Sequence, residues 1–174
     1  MEPTRNDFSQ KKISKEKIIY LLWLCVIFVT ISACIMVFWN HDRLIRVPED
    51  WTYEIPDGMR TWIDEVSFKD GYFVIEGYTF IHGENLDTVQ NQVVLYDETE
   101  NLYYAINTSV CNKYDLTAYF NDGFSYDEGR FFARSSEKNL KPGHDYLICI
   151  LYRCNDHNIL INTERRLLDY AWEE

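Results

Sequence analysis

Two short stretches of the chain contain residue types that bind zinc. Cys154-Asn155-Asp156-His157 holds three ligand types within four positions, and His144-Asp145 adds two more. Zinc needs three or four such ligands that converge with tetrahedral geometry. The spacings C-x-x-C and H-x-x-x-H, which place two ligands close together, do not occur in the sequence. We therefore expect polar turn residues in two separate loops, and neither a metal nor another cofactor.

Acidic residues offer two further kinds of chemistry. Asp97-Glu98-Thr99-Glu100 lacks the D-x-[DN]-x-[DN]-G frame of a calcium loop, so a solvated acidic turn is predicted. Glycoside hydrolysis needs two carboxylates about 5–10 Å apart. Asp115, Asp127 and Glu128 are candidates only because the domain has so many acidic residues that some pair will meet this distance by chance. Serine and cysteine residues lack the G-x-S-x-G and family signatures of nucleophiles. These observations predict a protein that is not an enzyme.

Aromatic residues favour ligand binding more than catalysis. Flat rings stack on the apolar faces of sugars, and the Tyr hydroxyl or Trp N–H adds a polar group. Such rings also fill cores, so both interpretations stay open for Trp51, Tyr53, Trp62, Tyr78, Tyr103, Tyr104, Tyr119 and Tyr126. Four of these are our candidate ligand-binding residues: Trp62, Tyr78, Tyr104 and Tyr119.

Charge limits the class of partner. The 174 residues carry a formal net charge of −11, with 17 Lys and Arg against 28 Asp and Glu. Residues 40–174 hold 12 basic and 25 acidic residues, which makes nucleic acid an unlikely partner because phosphate binding needs a basic surface. Neutral glycans or a protein are easier to accommodate than anionic polymers, which such a domain repels without a local basic patch.

An uncharged block, residues 18–39, separates this acidic part from a basic N-terminus. Its 22 residues span about 33 Å as a helix, enough for the ~30 Å hydrocarbon core of a bilayer. Tyr20 and Trp23 lie near one end and Trp39 lies at the other, as in interfacial aromatic belts. Five Lys and Arg precede the block, against Arg43 and Arg46 just after it. The positive-inside rule predicts a single span with a cytoplasmic N-terminus and an extracytoplasmic C-terminal domain in the cell membrane.

Two processed forms are alternatives to an uncleaved anchor. A secretory signal peptide has an apolar core of only 7–15 residues and a small-residue cleavage site, neither of which fits this block. Ile31-Ser32-Ala33-Cys34 is similar to a bacterial lipobox, in which cleavage precedes lipidation of the cysteine. The apolar run continues past Cys34 to Trp39, where a mature lipoprotein turns polar, so the uncleaved anchor is favoured.

The C-terminal domain has three cysteines, and the sequence leaves open whether two of them form a disulfide. Cys149 lies in an apolar run and is predicted to be a buried thiol, whereas Cys111 and Cys154 lie where a cross-sheet disulfide is an option. An odd number of cysteines does not pair completely within one chain.

Short aromatic and β-branched segments with turn signals between them indicate an antiparallel all-β domain. Gly77 inside one segment indicates a bulge or a close backbone approach. Arg165-Arg166 is predicted to be a solvated strand edge. The predicted strands are 61–68, 72–81, 90–97, 102–106, 124–134, 146–152 and 159–163, with a helical turn in 113–120 and strand or coil in 167–172. A single β-sandwich, immunoglobulin-like or jelly-roll-like, is the economical architecture.

Several segments resemble a known group of modules. The chain is similar to small extracytoplasmic β-sandwich modules of uncharacterised Gram-positive membrane proteins associated with cell-surface polysaccharide loci. The resemblance is carried by Gly77–Ile81, Val94-Leu95, Lys113–Phe120, Gly123-Phe124-Ser125 and Leu140–Gly143, with Tyr78 where the modules favour Trp. It implies a surface-polysaccharide context and brings no catalytic residue.

These inferences define four regions. A basic cytoplasmic tail covers 1–17, a transmembrane helix 18–39, a juxtamembrane linker 40–50 and the β-sandwich 51–174. We expect a non-enzymatic envelope accessory or glycan-binding module. The alternative is a protein-interaction subunit of a larger membrane complex.

Overall fold

The structure is a computed structural model that describes residues 15–41, 43–110 and 116–171, with the backbone alone for 38–41. Two compact units divide the chain. The first comprises Met1–Asn40 and the second His41–Glu174.

The first unit contains one long helix, α1 (Lys15–His41), of 27 residues. Its residues from Lys15 to Val37 are long and apolar enough to cross a membrane. Apolar side chains cover every face of this helix, so it has no polar stripe. The Thr30 hydroxyl donates to the Val26 carbonyl one turn back at 2.9 Å, which satisfies it without water.

The second unit is an all-β domain of two antiparallel sheets, with one short helix, α2 (Leu116–Phe120). The strands are β1 (Ile45–Arg46), β2 (Met59–Lys69), β3 (Tyr72–Ile81), β4 (Gln92–Asp97), β5 (Leu102–Ala105), β6 (Asn107–Val110), β7 (Arg130–Ser136), β8 (Tyr146–Cys154) and β9 (His157–Arg166).

The strand order is that of an immunoglobulin-like fold. One sheet runs β2-β3-β7-β6 and the other β1-β5-β4-β8-β9. Taken in chain order from β2, these are the A-B-E-D and C′-C-F-G orders of immunoglobulin domains. Of the two architectures that the sequence predicts, the strand order favours the immunoglobulin-like one.

Side chains from both sheets form one buried cluster. In β3, Phe73 and Ile75 point to it, and in β4, Val93 and Leu95 do so at alternate positions. Period-two burial follows from the pleat, which sends successive side chains to opposite faces. In β8, however, residues 148–152 are all buried, so both faces of this strand are covered.

A segment of six residues covers the outer face of the five-stranded sheet. We call residues 47–52 the strap. It begins beside β5, where the Val47 N–H donates to the Tyr103 carbonyl at 3.0 Å. It ends beside β9, where Thr52 exchanges hydrogen bonds of 3.0 and 2.9 Å with Asn158 and Leu160. The strap therefore runs from one edge of this sheet to the other.

Trp51 of the strap explains the continuous apolar run of β8. Its ring packs in a second buried cluster with Val94, Cys149, Leu151 and Leu160. The Trp51 ring also lies edge-on to Tyr103, with centroids 5.1 Å apart. Fully covered strands read as continuous apolar runs rather than alternating ones, and here a single tryptophan covers the middle of the sheet.

Tyr146, at the start of β8, closes the turn that precedes the strand. Its hydroxyl accepts a hydrogen bond from the Lys141 N–H at 3.0 Å, and its ring is buried. A tyrosine at this position that bonds to the backbone a few residues upstream is the tyrosine corner of immunoglobulin-like domains. Leu140–Gly143, one of the segments that carry the resemblance, contains the Lys141 N–H that Tyr146 binds.

Two strands were absent from the sequence-based prediction. β1 and the first part of the strap occupy 45–50, within the segment predicted to be a linker. β6 has only four residues, three of them exposed, so it carries no hydrophobic pattern. The prediction for Gly77 is confirmed, because a Cβ there would lie 2.2 Å from the Trp62 carbonyl oxygen, opposite a bulge between Ile63 and Glu65.

Candidate ligand-binding surface

Trp62 and Tyr78 are direct cross-strand neighbours on the outer face of the four-stranded sheet. β2 pairs with β3 so that Trp62 lies opposite Tyr78, and β3 pairs with β7 so that Tyr78 lies opposite Arg130. Trp62 is 54% exposed although it is the largest apolar side chain of the strand. An exposed indole therefore lies next to a tyrosine of the adjacent strand.

Tyr119 joins this surface from the short helix α2. Leu116 and Phe120 pack with Phe80 and Tyr126, which holds the helix against the outer face of the sheet. Phe80 and Tyr126 stack with ring centroids 4.3 Å apart. Tyr119 is 81% exposed and lies close enough to Tyr78 to raise the pKa of that residue. We call Trp62, Tyr78 and Tyr119 the aromatic row.

Charged groups border the aromatic row. Asp64, the extra residue of the β2 bulge, accepts a hydrogen bond of 2.7 Å from Arg130, which is itself buried. Burial, the negative charge of Asp64 and the nearby Tyr119 raise the pKa of Tyr78, while Arg130 and Arg60 lower it. Tyr78 therefore keeps its proton at neutral pH and offers a hydroxyl donor beside the row.

Tyr104, the fourth predicted residue, lies elsewhere. It belongs to β5 of the other sheet, and its hydroxyl donates to Glu100 at 3.0 Å. Desolvation by burial and this bond to Glu100 raise the pKa of Tyr104. Tyr104 lines a separate cavity of about 250 Å³ with Arg43, Leu44, Asn139, Lys141 and Tyr146. The structure therefore brings together three of the four candidates.

Glu100 belongs to a group that we call the Asp97 cluster: Asp97, Glu100, Lys141 and His144. Ligand atoms of Asp97, Glu100 and His144 lie within 4.8 Å of one another, which is close enough for a metal. The Lys141 ammonium, however, lies 2.5 Å from both Glu100 oxygens, and His144 Nδ1 lies 2.8 Å from Asp97. A metal ion would have to displace these contacts, so the cluster is a hydrogen-bonded ion network.

The prediction of a solvated acidic turn at 97–100 is wrong for its first residue. Asp97 is fully buried, and its Oδ1 accepts hydrogen bonds from the Thr99 and Glu100 N–H groups. Burial by itself raises the pKa of a carboxyl, but the hydrogen bonds from His144 and the two N–H groups bring the pKa of Asp97 below its usual value.

The residues considered for zinc lie at opposite ends of β8. His144 contacts Asp97, and Asp145 pairs with Arg166, both before the strand begins. Cys154 and His157 lie at its other end, where they are paired in register. Nine residues of strand cover about 27 Å, so these ligands do not converge. Cys149 and Cys154 are buried free thiols, and Cys111 lies outside the described residues.

An acidic groove of about 530 Å³ lies on the surface of the β domain. It lies where residues 50–57 approach the β8–β9 turn. Its carboxylates are Asp50, Glu54, Asp57 and Asp156. Asp50 already pairs with Arg153 at 3.0 Å, and His157, which also lines the groove, lies 3.4 Å from Glu84.

Sequence reasoning missed the role of Arg165. It was predicted to lie on a solvated edge, but it is half-buried and its Nη1 donates to the Ile63 carbonyl of β2 at 3.1 Å. Its guanidinium carbon lies 5.3 Å from the centroid of the Trp62 ring. A basic residue that belongs to a strand of the other sheet carries no local signal for such a contact.

Comparison of the chain with protein-family models, with curated proteins and with solved structures gives no match.

Proposed function

We propose that this protein is a single-pass membrane protein whose β domain lies outside the cytoplasm and binds saccharide through the aromatic row. Helix α1 is long and apolar enough to cross a bilayer. The excess of Lys and Arg before it favours a cytoplasmic N-terminus. The resemblance to modules of polysaccharide loci supports an accessory role in the cell envelope.

One observation carries the saccharide proposal: Trp62 and Tyr78 share a cross-strand position and Trp62 remains 54% exposed. A core function would bury the indole, because a tryptophan buries about 150–250 Å² of surface and the gain is large. By contrast, Trp51 is 8% exposed and Tyr126 is fully buried. The row combines ring faces with hydroxyl, guanidinium and carboxylate groups, which is the chemistry that sugar rings need.

Binding is tested with the full chain in lipid nanodiscs, immobilised and titrated with a panel of neutral and acidic oligosaccharides by biolayer interferometry. We expect saturable binding of at least one member. Trp62→Ala and Tyr78→Ala should each weaken it roughly five- to tenfold, because one aromatic contact contributes about 1 kcal/mol.

Tyr53→Ala is the matched control. Tyr53 is 59% exposed, but it lies just beyond the strap beside Tyr103, away from the row. Its removal should leave the affinity unchanged. Absence of binding across the panel, or equal binding by the Trp62→Ala variant with its fold intact by circular dichroism, would overturn the proposal. Crosslinking in the membrane would then test the alternative of a protein partner.

A further inference from the structure

A cavity of about 250 Å³ lies beside Trp62, between the edge strand β2 of one sheet and the edge strand β9 of the other. Trp62 therefore belongs both to the aromatic row and to the wall of this cavity. The other lining residues are apolar or neutral, except for one arginine: Thr61, Ile63, Ile161, Asn162, Thr163 and Arg165.

Arg165 has no acidic partner among the described residues. Its Nη1 contacts the Ile63 carbonyl at 3.1 Å and the Tyr170 hydroxyl at 3.3 Å. A guanidinium has five N–H donors, so the Nε and Nη2 groups remain for a ligand. Three other arginines of the domain, Arg130, Arg153 and Arg166, each pair with a carboxylate.

The charge of this cavity is opposite to that of the domain. Residues 40–174 carry 25 acidic and 12 basic side chains, yet Arg165 is the only charged residue among the described ones that line this cavity. The contacts of this half-buried cation are a carbonyl, a hydroxyl and an aromatic ring, so no opposite charge offsets its desolvation. An anionic group that binds edge-on to the guanidinium would supply the missing negative charge. It would also accept two parallel hydrogen bonds, from the Nε and Nη2 groups, as in a bidentate pair.

The size and the remaining walls favour a sugar over a longer ligand. Pockets for drug-sized molecules enclose about 300–1,000 Å³, so about 250 Å³ suits one ring. Trp62 offers a flat ring for stacking. The Asn162 amide nitrogen has no partner among the described residues and can donate to a sugar hydroxyl.

We infer that this cavity binds a sugar unit that carries a carboxylate, such as a uronic acid, with the ring against Trp62 and the carboxylate on Arg165. The inference rests on the proposed saccharide function and adds the chemical class of the ligand. It departs from the neutral glycan that the net charge favours, because local rather than total charge faces the ligand.

The test compares α-1,4-trigalacturonate with the same trisaccharide as its methyl ester, using the full chain in nanodiscs of neutral lipid. We expect the acid to bind about tenfold more tightly than the ester, and this preference to shrink as salt rises. Arg165→Gln should abolish the preference while leaving the ester affinity nearly unchanged. Arg165→Lys keeps the charge without the planar fork, and it should keep part of the preference.

Arg134→Gln is the matched control, because Arg134 is exposed on the same sheet, stacks on Tyr72 at 3.9 Å and does not line the cavity. It should retain the full preference. Equal affinity for acid and ester, an unchanged preference in Arg165→Gln, or tighter binding of an acidic tripeptide would overturn the inference. If neutral oligosaccharides bind and trigalacturonate does not, only this inference fails. If nothing in the panel binds, the saccharide function itself fails.

Discussion

Asp97 shows how one buried carboxylate can stabilise a turn between two strands. It ends β4, caps the Thr99 and Glu100 N–H groups and contacts His144 from the segment before β8. Because these bonds lower the pKa of Asp97 in the folded state, the unfolded chain takes up a proton there at a higher pH. The contribution of Asp97 to stability is therefore present above about pH 4 and is lost as the pH falls.

Asp97→Asn tests this linkage. We expect the variant to be less stable than the wild type by about 1–3 kcal/mol at pH 7, because the buried hydrogen bonds are weakened. The difference should narrow between about pH 5 and pH 3, as the wild-type carboxyl becomes protonated. Thermal unfolding of the full chain in detergent, followed across this pH range, measures the difference in stability between the variant and the wild type. Asp87 is an exposed acidic residue, so Asp87→Asn is the control. The difference in stability between this variant and the wild type should not depend on pH.

At the scale of elements, the strap shields the outer face of the five-stranded sheet from water. Trp51 is the side chain that covers Cys149 and Leu151. Burial raises the pKa of Cys149 to about 12, so its thiol stays protonated at neutral pH and reacts slowly. Cys154 belongs to the other cluster, between the sheets, and its pKa is also raised by burial. The reactivity of Cys149 therefore reports on the outer face of the five-stranded sheet, and that of Cys154 reports on the core between the two sheets.

Trp51→Ala should change the reactivity of Cys149 without changing that of Cys154. We expect N-ethylmaleimide to label Cys149 at least about tenfold faster in this variant, because local opening of the strap governs access. Cys154 should label at the wild-type rate. Peptide mass spectrometry of the labelled full chain distinguishes the two sites, and Tyr53→Ala serves as a control on the same segment. Equal acceleration at both cysteines would indicate global destabilisation and contradict a local cover.

Periodicity and turn chemistry predicted most of the fold. The segments 72–81, 146–152 and 102–106 coincide closely with β3, β8 and β5, since aromatic and β-branched residues between turns are a local signal. The helical turn is confirmed for 116–120, and 113–115 lie outside the described residues. β1 and β6 were missed because two and four mostly exposed residues gain their pairing from a distant strand.

The candidate site was less predictable than the fold. Trp62 and Tyr78 were named as aromatic residues, but their pairing depends on the register of β2 against β3 and on the bulge at Asp64. Tyr104 was grouped with them by residue type alone, although it lies on the other sheet. Arg165 reaches Ile63 across 102 positions of sequence, a contact that no local pattern encodes.

At the scale of the whole molecule, the distribution of basic residues makes a prediction about orientation. Arg5, Lys11, Lys12, Lys15 and Lys17 precede the apolar segment of α1, and the following domain is acidic. Alkaline phosphatase fused after Glu174 should be active when the full chain is expressed in a bacterial host, since this enzyme folds only outside the cytoplasm. A fluorescent protein at the same position should stay dark.

Replacing the basic residues of the tail with serine should invert a fraction of the molecules, because Lys and Arg near the span set its orientation. The activity of the phosphatase fusion should then fall and the fluorescence of the second fusion should rise. High fluorescence and low phosphatase activity in the wild type would place the β domain in the cytoplasm and remove the basis for an envelope function.

The strap also has a mechanical consequence. Only residues 42–44 separate the end of α1 from β1, so tension applied to the chain at this point passes to β1 before it reaches the rest of the domain. β1 holds to β5 through two residue pairs, Ile45 with Ala105 and Arg46 with Tyr104. These pairs would break one after the other, and the strap would then peel away from Val47 towards Trp51 while the remaining strands of both sheets kept their pairs. We therefore expect β1 and the strap to extend under load before the pull reaches the strands that carry Trp62 and Tyr78.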